Sequence, residues 1–354
     1  MSEGTQQQDK PAPPTPPEVQ PGETTLDATQ RFIGNLTVPD SASVLLATVV
    51  LVIVIGFFHH DFLSRDNLLA ILQESVYIGI LAAGMSFLLA MREIDLSVGS
   101  NFGLSLVIGA ELMTHGWTPW LAGAAAVVVG GIFGLVNATA VQLFRIPTIV
   151  ATLATLSMGR GLALALTSGQ QVIDLPQSSS FFTKLGGKEF GVATAVWVFI
   201  GVVVALTVIL RMTPFGYRVR SIGSNPDAAA FAGISIARVR VQALVLMGLL
   251  AGLAGALGLA FFISGDPNIG SGFELQAIAA AVIGGTPLRG GSGTAFGAAI
   301  GAILLTVVSS GLVFFNVPLN WTSFATGAVI LLAVALDSLL RRRRRAERQP
   351  GLEL

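Results

Sequence analysis

Arg92, Glu93 and Asp95 fall within four positions of one another in the string MREIDLSVGS (91–100), between two strongly apolar runs. Two carboxylates and a guanidinium this close can form ion pairs, exchange partners between states, or line a polar passage. At the centre of a bilayer three such charges would cost roughly 8–10 kcal/mol, and at an interface most of that penalty vanishes. The elements around them decide which situation applies. The stretch Ser75–Met113 would be about 58 Å long as one helix, twice the depth of a hydrocarbon core. The chain must therefore turn within it, and MREIDLSVGS is the midpoint. The expected geometry is a turn near one membrane face. A helix broken inside the protein, with its charges facing water, is the alternative.

The setting is apolar throughout. The 354 residues are 53% hydrophobic and 11% charged, with 41 glycines and a mean hydropathy of +0.75, whereas a soluble domain carries roughly 25% charged residues. Apolar runs long enough for helices recur in place of short alternating strands, which predicts an all-α, polytopic membrane protein. Ten segments fit a bilayer: about 43–58, 75–91, 96–113, 119–143, 147–167, 193–210, 242–263, 275–287, 295–315 and 321–340. The net charge of zero names no partner, and no feature points to nucleic acid. With no cysteine, disulfides, thiolate metal sites and a cysteine nucleophile are excluded. Residues 1–40 hold six prolines between Pro11 and Pro21 and read as a disordered cytosolic tail. No basic region precedes the first apolar run, so a cleaved signal peptide is not expected. The membrane domain is 41–340, and 341–354 is a basic cytosolic tail.

The distribution of positive charge orients the chain. With ten spans, sixteen of the twenty Lys and Arg fall in one set of loops and tails, three (Arg65, Lys184 and Lys188) in the other, and Arg160 inside the fifth span. One missed helix would invert every later loop. Both termini, Glu93 and Asp95 are therefore expected on the cytosolic side.

The string EIDLSVGS, the loop TPFGYRVRSIGSNPDAAAFAGISIARVR (213–240) and ELQAIAAAVIGGTPLRGGSGTAFGAAIGAILL (274–305) together resemble the permease subunits of bacterial ABC importers for ribose, xylose and similar monosaccharides. The resemblance covers about 42–340, and many members have glycines where Arg92 and Glu93 stand. It implies a type II importer fold in the bacterial inner membrane and a second permease copy, with a homodimer expected. It also implies a separate ATPase subunit, a periplasmic or lipid-anchored sugar-binding protein, and a sugar as cargo. No cofactor would bind the chain directly, because ATP and Mg are used by the ATPase. In agreement, the chain's only Gly-Lys, Gly187-Lys188, is followed by Glu189, so it has no phosphate-binding loop.

Each motif has a physical role open to it. In the 211–241 loop, Ser224 or Asn225 can cap a short helix, Pro226 suits its first position, Asp227 favours its positive end and Gly233 can end it. That predicts two turns over Pro226–Ala232 with Phe231 as the one large apolar knob. It is either an ordinary loop helix on the membrane or, as the resemblance implies, the helix that couples to the ATPase. Ser97 can cap the third span, and Glu93 or Asp95 can pair with Arg92 or another arginine of that face. The segment is a capped hairpin, an inner gate, or both. Further hydrogen-bonding groups for a sugar path are Asn101, Asn137 and Thr155. Gly284, Gly285, Gly290 and Gly291, with Pro287 and Arg289, suggest a hinge or a tight turn. VGSNFG (98–103) and SGTAFG (292–297) look alike and suggest an internal duplication. Arg160 must face protein or water, with a helix-end carbonyl, Glu111 or a docked protein as partner. Arg65, Lys184 and Lys188 can meet acidic groups of a binding protein. His59 and His60 beside Asp61 read as a solvated loop, not a metal site.

A self-contained secondary transporter or channel is the second reading of the chain. The absence of His and of deeply placed carboxylates in the spans weighs against it. A membrane enzyme is the third, and no clustered Ser/His/Asp or metal-binding set supports it.

Overall fold

The computed structural model describes residues 40–318 and isolated positions as far as 331. The expected tails 1–40 and 341–354 and the tenth span, 321–340, lie essentially outside the described residues. Among the described residues eleven α-helices follow one another: α1 (Asp40–Phe58), α2 (Arg65–Ala90), α3 (Val98–Thr114), α4 (Pro119–Phe144), α5 (Thr148–Leu166), α6 (Thr194–Met212), α7 (Pro214–Ser224), α8 (Pro226–Phe231), α9 (Ile236–Phe262), α10 (Phe273–Ile283) and α11 (Ala295–Phe314). Between α5 and α6 lie a π-helical turn (Phe181–Leu185) and a two-stranded hairpin, β1 (Lys188–Glu189) and β2 (Val192–Ala193). Nine of the ten expected segments coincide with helices. Six of these, α2, α4, α5, α6, α9 and α11, are long and apolar enough to cross a membrane alone. The largest shift is in α2, which starts at Arg65 because Ser64 caps it, its Oγ accepting from Asn67 N at 3.4 Å.

Small residues let the central helices meet backbone to backbone. On α4, Gly130 and Gly134 lie against Gly248, Gly252 and Leu244 of α9, so closely that a Cβ at either α4 glycine would strike the partner main chain. The buried core gathers around α2, α3 and α9, with Phe87, Phe102, Met85 and Leu244 fully enclosed. Large apolar side chains on α1, α4, α5 and α6 remain exposed, among them Ile53, Phe57, Ile132, Leu162 and Val204.

Helix α2 ends at Ala90 and α3 starts only at Val98. Arg92 takes a left-handed backbone (φ 65°), and the chain then runs without helix into the protein, where Asp95 is 2% and Ser97 0% exposed. The break is thus internal, unlike the interfacial turn expected. Arg92 and Glu93 stay at the end of the bundle, while Asp95 is carried inward because its carboxylate finds partners there.

The same device recurs. Ile263, which ends α9, is also left-handed (φ 52°), and Arg145 (φ 53°) after α4 is matched by Asn316 (φ 55°) after α11. Both pairs are 171 positions apart, as are α2 and α9 at their starts. At that offset DLSVGSNFGL (95–104) aligns with DPNIGSGFEL (266–275), and Arg145-Ile146-Pro147 with Asn316-Val317-Pro318. The duplication is real, but the partner of 98–103 is 269–274, not 292–297. The halves are inverted: α2 ends, and α9 starts, at the end of the bundle that carries the 211–241 loop. Inverted repeats of this kind put broken helices at mid-depth.

Candidate functional site

Three of the expected groups converge at the 211–241 end. Arg92 donates from Nε to Gly223 O (2.7 Å) and from Nη2 to Ser224 O (3.0 Å), which ties the α2–α3 junction to the end of α7. Glu93 accepts from Arg240 of α9, with Nε and Nη2 each 2.7 Å from Oε1. A cavity of about 350 Å³ opens beside this pair, lined by Arg92, Glu93, Arg240 and residues 146–149. Gly291 donates its N–H to Ala90 O at 2.9 Å. Gly290 and Gly291 both need left-handed φ values (76° and 86°), so here the glycine cluster makes a turn that only glycine adopts cheaply. Gly284 and Gly297 meet backbone to backbone where α10 folds back onto α11, and Gly285 (φ 98°) begins that turn.

Deeper in, the polar residues bond to one another. Asp95 Oδ1 accepts from Ser97 N (2.8 Å) and Ser97 Oγ (2.6 Å). Ser97 Oγ in turn accepts from Asn137 Nδ2 of α4 (2.7 Å), and Asn137 Oδ1 accepts from Thr155 Oγ1 of α5 (2.6 Å). Asn101 Nδ2 donates to Gly130 O at 3.2 Å. This chain of buried bonds fastens α3, α4 and α5 to the broken segment, and buried networks so satisfied are rigid. Ser97 occupies the N-cap position of α3 without capping it, because its hydroxyl is taken by Asp95 and Asn137.

The short helix α8 forms as its end signals require. Asn225 Oδ1 accepts from Ala228 N at 3.1 Å, Pro226 sits in the first turn with Asp227, and Gly233 (φ 82°) closes the far end with its N–H on Ala230 O at 2.9 Å. Asn225, not Ser224, is the cap; Ser224 lies against Gly291 and holds Arg92 through its carbonyl. Ala229 faces inward and is 5% exposed, whereas Phe231 stands 93% exposed.

At the opposite end, the Arg65 guanidinium lies against Gly191 in the hairpin that holds Lys188, and Lys184 is in the preceding π-helical turn. His59 packs edge-on against Phe315, centroids 4.6 Å apart. Among the described residues no group of three His, Cys, Asp or Glu gathers as a metal site would require.

Arg160 of α5 donates from Nη1 to Pro267 O (2.5 Å) and Ile269 O (3.3 Å). Its partners are carbonyls ahead of a helix, not Glu111, which neighbours His115. Sequence reasoning passed over the residues around it, Gln171, Asp266 and Glu274. The signal that finds them is the 171-residue repeat, which makes Asp266 the counterpart of Asp95.

The Branched-chain amino acid transport system / permease component family matches residues 67–334. The L-arabinose ABC transporter permease protein AraH of Azospirillum brasilense is 34% identical over 86% of this chain and 89% of its own length. The ribose import permease protein RbsC of Escherichia coli K12 is 34% identical over 83% and 92%. The autoinducer 2 import system permease protein LsrC of Salmonella typhi is 34% identical over 88% of each chain. No solved structure matches the chain. A broken-helix membrane bundle with an exposed, capped helix in its arginine-rich loop, aligned almost end to end with these proteins, belongs to that permease family and is the membrane-spanning permease component of an ABC importer, ATP being hydrolysed by a separate subunit.

Proposed function

We propose that this permease passes a pentose-class monosaccharide from a binding protein to the cytosol, driven by an ATPase that docks on α8. The observation that carries the docking is Phe231, 93% exposed at the end of a short helix fixed by Asn225, Pro226 and Gly233. An aromatic knob that the chain itself leaves uncovered suits an apolar groove on a partner. The pentose reading draws on the arabinose and ribose names of relatives alignable over more than four-fifths of the chain. On this reading the 211–241 end is cytosolic, as are both termini, and ATP and Mg act in the ATPase. A second copy of the permease closes the pathway. Arg92 and Glu93, held by Ser224 and Arg240, are the inner gate, the chain Asp95–Ser97–Asn137–Thr155 is its anchor, and the glycine turn 284–291 is its hinge. Arg65, Lys184 and Lys188 meet the binding protein at the opposite end.

Replacing Phe231 with Asp puts a charge where the groove must be apolar. Co-purification with the ATPase and ATP-driven ribose uptake should each fall at least tenfold while membrane insertion persists. Unchanged docking and uptake would remove α8 from the interface. Phe231→Cys, in a chain with no other cysteine, checks the orientation. In sealed right-side-out vesicles a permeant maleimide should label it and an impermeant one should not.

A further inference from the structure

Residues 264–272 run from the far end of the bundle down the side of α3. Gly265 lies against Ala110, Ile269 O against Gly103, and Gly270 against Gly99. At 1.5 Å per residue, Gly103 is about 16 Å and Arg160 about 9 Å below the far ends of their helices, well inside the apolar layer. At this depth Arg160 and Glu274 are only partly buried, and Asn268 and Ser271 beside them are exposed. Charged groups there do not face lipid; they face a water-filled passage or another chain. Asp266 and Glu274 are the carboxylates whose charge reaches Arg160, and Gln171 Nε2 donates to Asp266 Oδ2 at 2.8 Å on the far side. Six polar side chains therefore share one open face, on the half of the repeat opposite the closed Asp95 network.

We propose that Arg160, Asp266 and Glu274 form the rung of the pathway that reads the hydroxyls of the passing sugar. Sugar hydroxyls both donate and accept, and the rung supplies a guanidinium donor between two carboxylate acceptors, Asp266 toward the far end and Glu274 beside Gly99. Arg160 is already engaged by the carbonyls of Pro267 and Ile269, so a sugar gains only the difference between those bonds and its own. It is held weakly and released, as a passage requires. Selectivity then arises from the pattern of acceptors, because a hydroxyl of the wrong configuration leaves a carboxylate or a guanidinium N–H unpaired.

This inference rests on the monosaccharide reading, and one experiment separates the two. Permease reconstituted with its ATPase and binding protein is given D-ribose and its C2 epimer D-arabinose. Uptake is measured for the parent, Glu274→Gln and Arg160→Gln. The rung predicts that each variant changes the ratio of kcat/KM for the two pentoses by threefold or more. A residue that only holds the fold would lower both by one factor, and that result, or no change, overturns the rung while sparing the sugar reading. A parent that carries neither pentose, nor any of a panel of hexoses, overturns the sugar reading and the rung with it. Variants that fail to insert are replaced by Asn268→Cys and Ser271→Cys in the otherwise cysteine-free chain. A water-soluble methanethiosulfonate should modify both, and ribose supplied with the binding protein and ATP should slow the modification severalfold. Inert cysteines, or rates indifferent to ribose, overturn the proposal.

Discussion

The two copies of the broken-helix motif, 95–104 and 266–275, share a set of turn hydrogen bonds but differ in surroundings and in where helix resumes, at Val98 in the first and only at Phe273 in the second, after Gly270 (φ 87°) and Gly272 (φ 82°). In both, the aspartate Oδ1 accepts from the main-chain N–H two residues on, at 2.8 Å in each case. In both, the serine of Gly-Ser donates to the carbonyl three residues earlier, at 2.9 Å in each case. Gly99 and Gly270 touch each other's carbonyls, and Phe102 packs on its own counterpart Phe273 with centroids 5.2 Å apart. Yet Asp95 is enclosed by Ser97, Asn137 and Thr155, whereas Asp266 is partly open and bonded to Gln171. Gly103 in the first copy is Glu274 in the second, and Asn101 is Gly272. The shared residues are those that build the turn; the altered ones are those that face outward from it. One copy has become a sealed joint and the other an open surface.

The aromatic pair gives the largest expected contrast. Phe102 is fully buried and also meets Tyr77, while Phe273 is half-buried. Phe102→Ala should lower stability by about 3–5 kcal/mol, the range for emptying a packed aromatic site. Phe273→Ala should cost about half as much, since its neighbours can relax into open space. Thermal unfolding of the detergent-solubilised permease measures both. Equal losses would mean that the second junction is as closed as the first.

How much of this was legible in the sequence follows from what each feature is made of. Long apolar runs bounded by charges placed nine of the ten expected segments, because burial of a 20-residue helix depends on composition alone. Helix α8 was legible because Asn225, Pro226 and Gly233 act locally on the backbone they belong to. The internal break was not. Asp95 reads the same at an interface as in a core, and only Asn137 and Thr155, 42 and 60 positions away, decide between them. Arg160 stands out as a charge inside a span, and a helix-end carbonyl is among its expected partners; that the carbonyls are those of Pro267 and Ile269 is not legible, because carbonyls carry no residue identity. The small residues of VGSNFG hint at the repeat, but their likeness to SGTAFG points to the wrong partner. The spaced pattern Asp-x-x-[Val/Ile]-Gly-Ser-x-Phe-x-Leu carries it, and glycine abundance obscures that pattern.

The aspartates test the sealed joint itself. Asp95→Ala leaves the Ser97 N–H and hydroxyl without their acceptor in a dry interior, a cost of about 2–3 kcal/mol. Asp266→Ala frees groups that water can satisfy, and should cost less than about 1 kcal/mol. Urea-dependent proteolysis of the two variants gives the comparison. A large loss at Asp266 would show that a second chain or an unseen contact seals that face in the working transporter.

The serines are the finest probe, because here the two bonds are equal in length and only the surroundings differ. Ser100 is 1% exposed and its hydroxyl bonds Ser97 O, which also accepts the Asn101 N–H at 2.8 Å. Ser100→Ala therefore removes a donor without orphaning the carbonyl, a loss of about 1 kcal/mol. Ser271 is exposed, and its bond to Asn268 O exchanges freely with water, so Ser271→Ala should cost no more than about 0.5 kcal/mol. The sign of the difference matters more than its size. If Ser271→Ala proved the more damaging, the face bearing Arg160 and Glu274 would be dry, and neither water nor sugar would pass along it. If the order holds in detergent but reverses when the ATPase and binding protein are added, the open copy closes during the cycle and takes on the bonding that Asp95 has now.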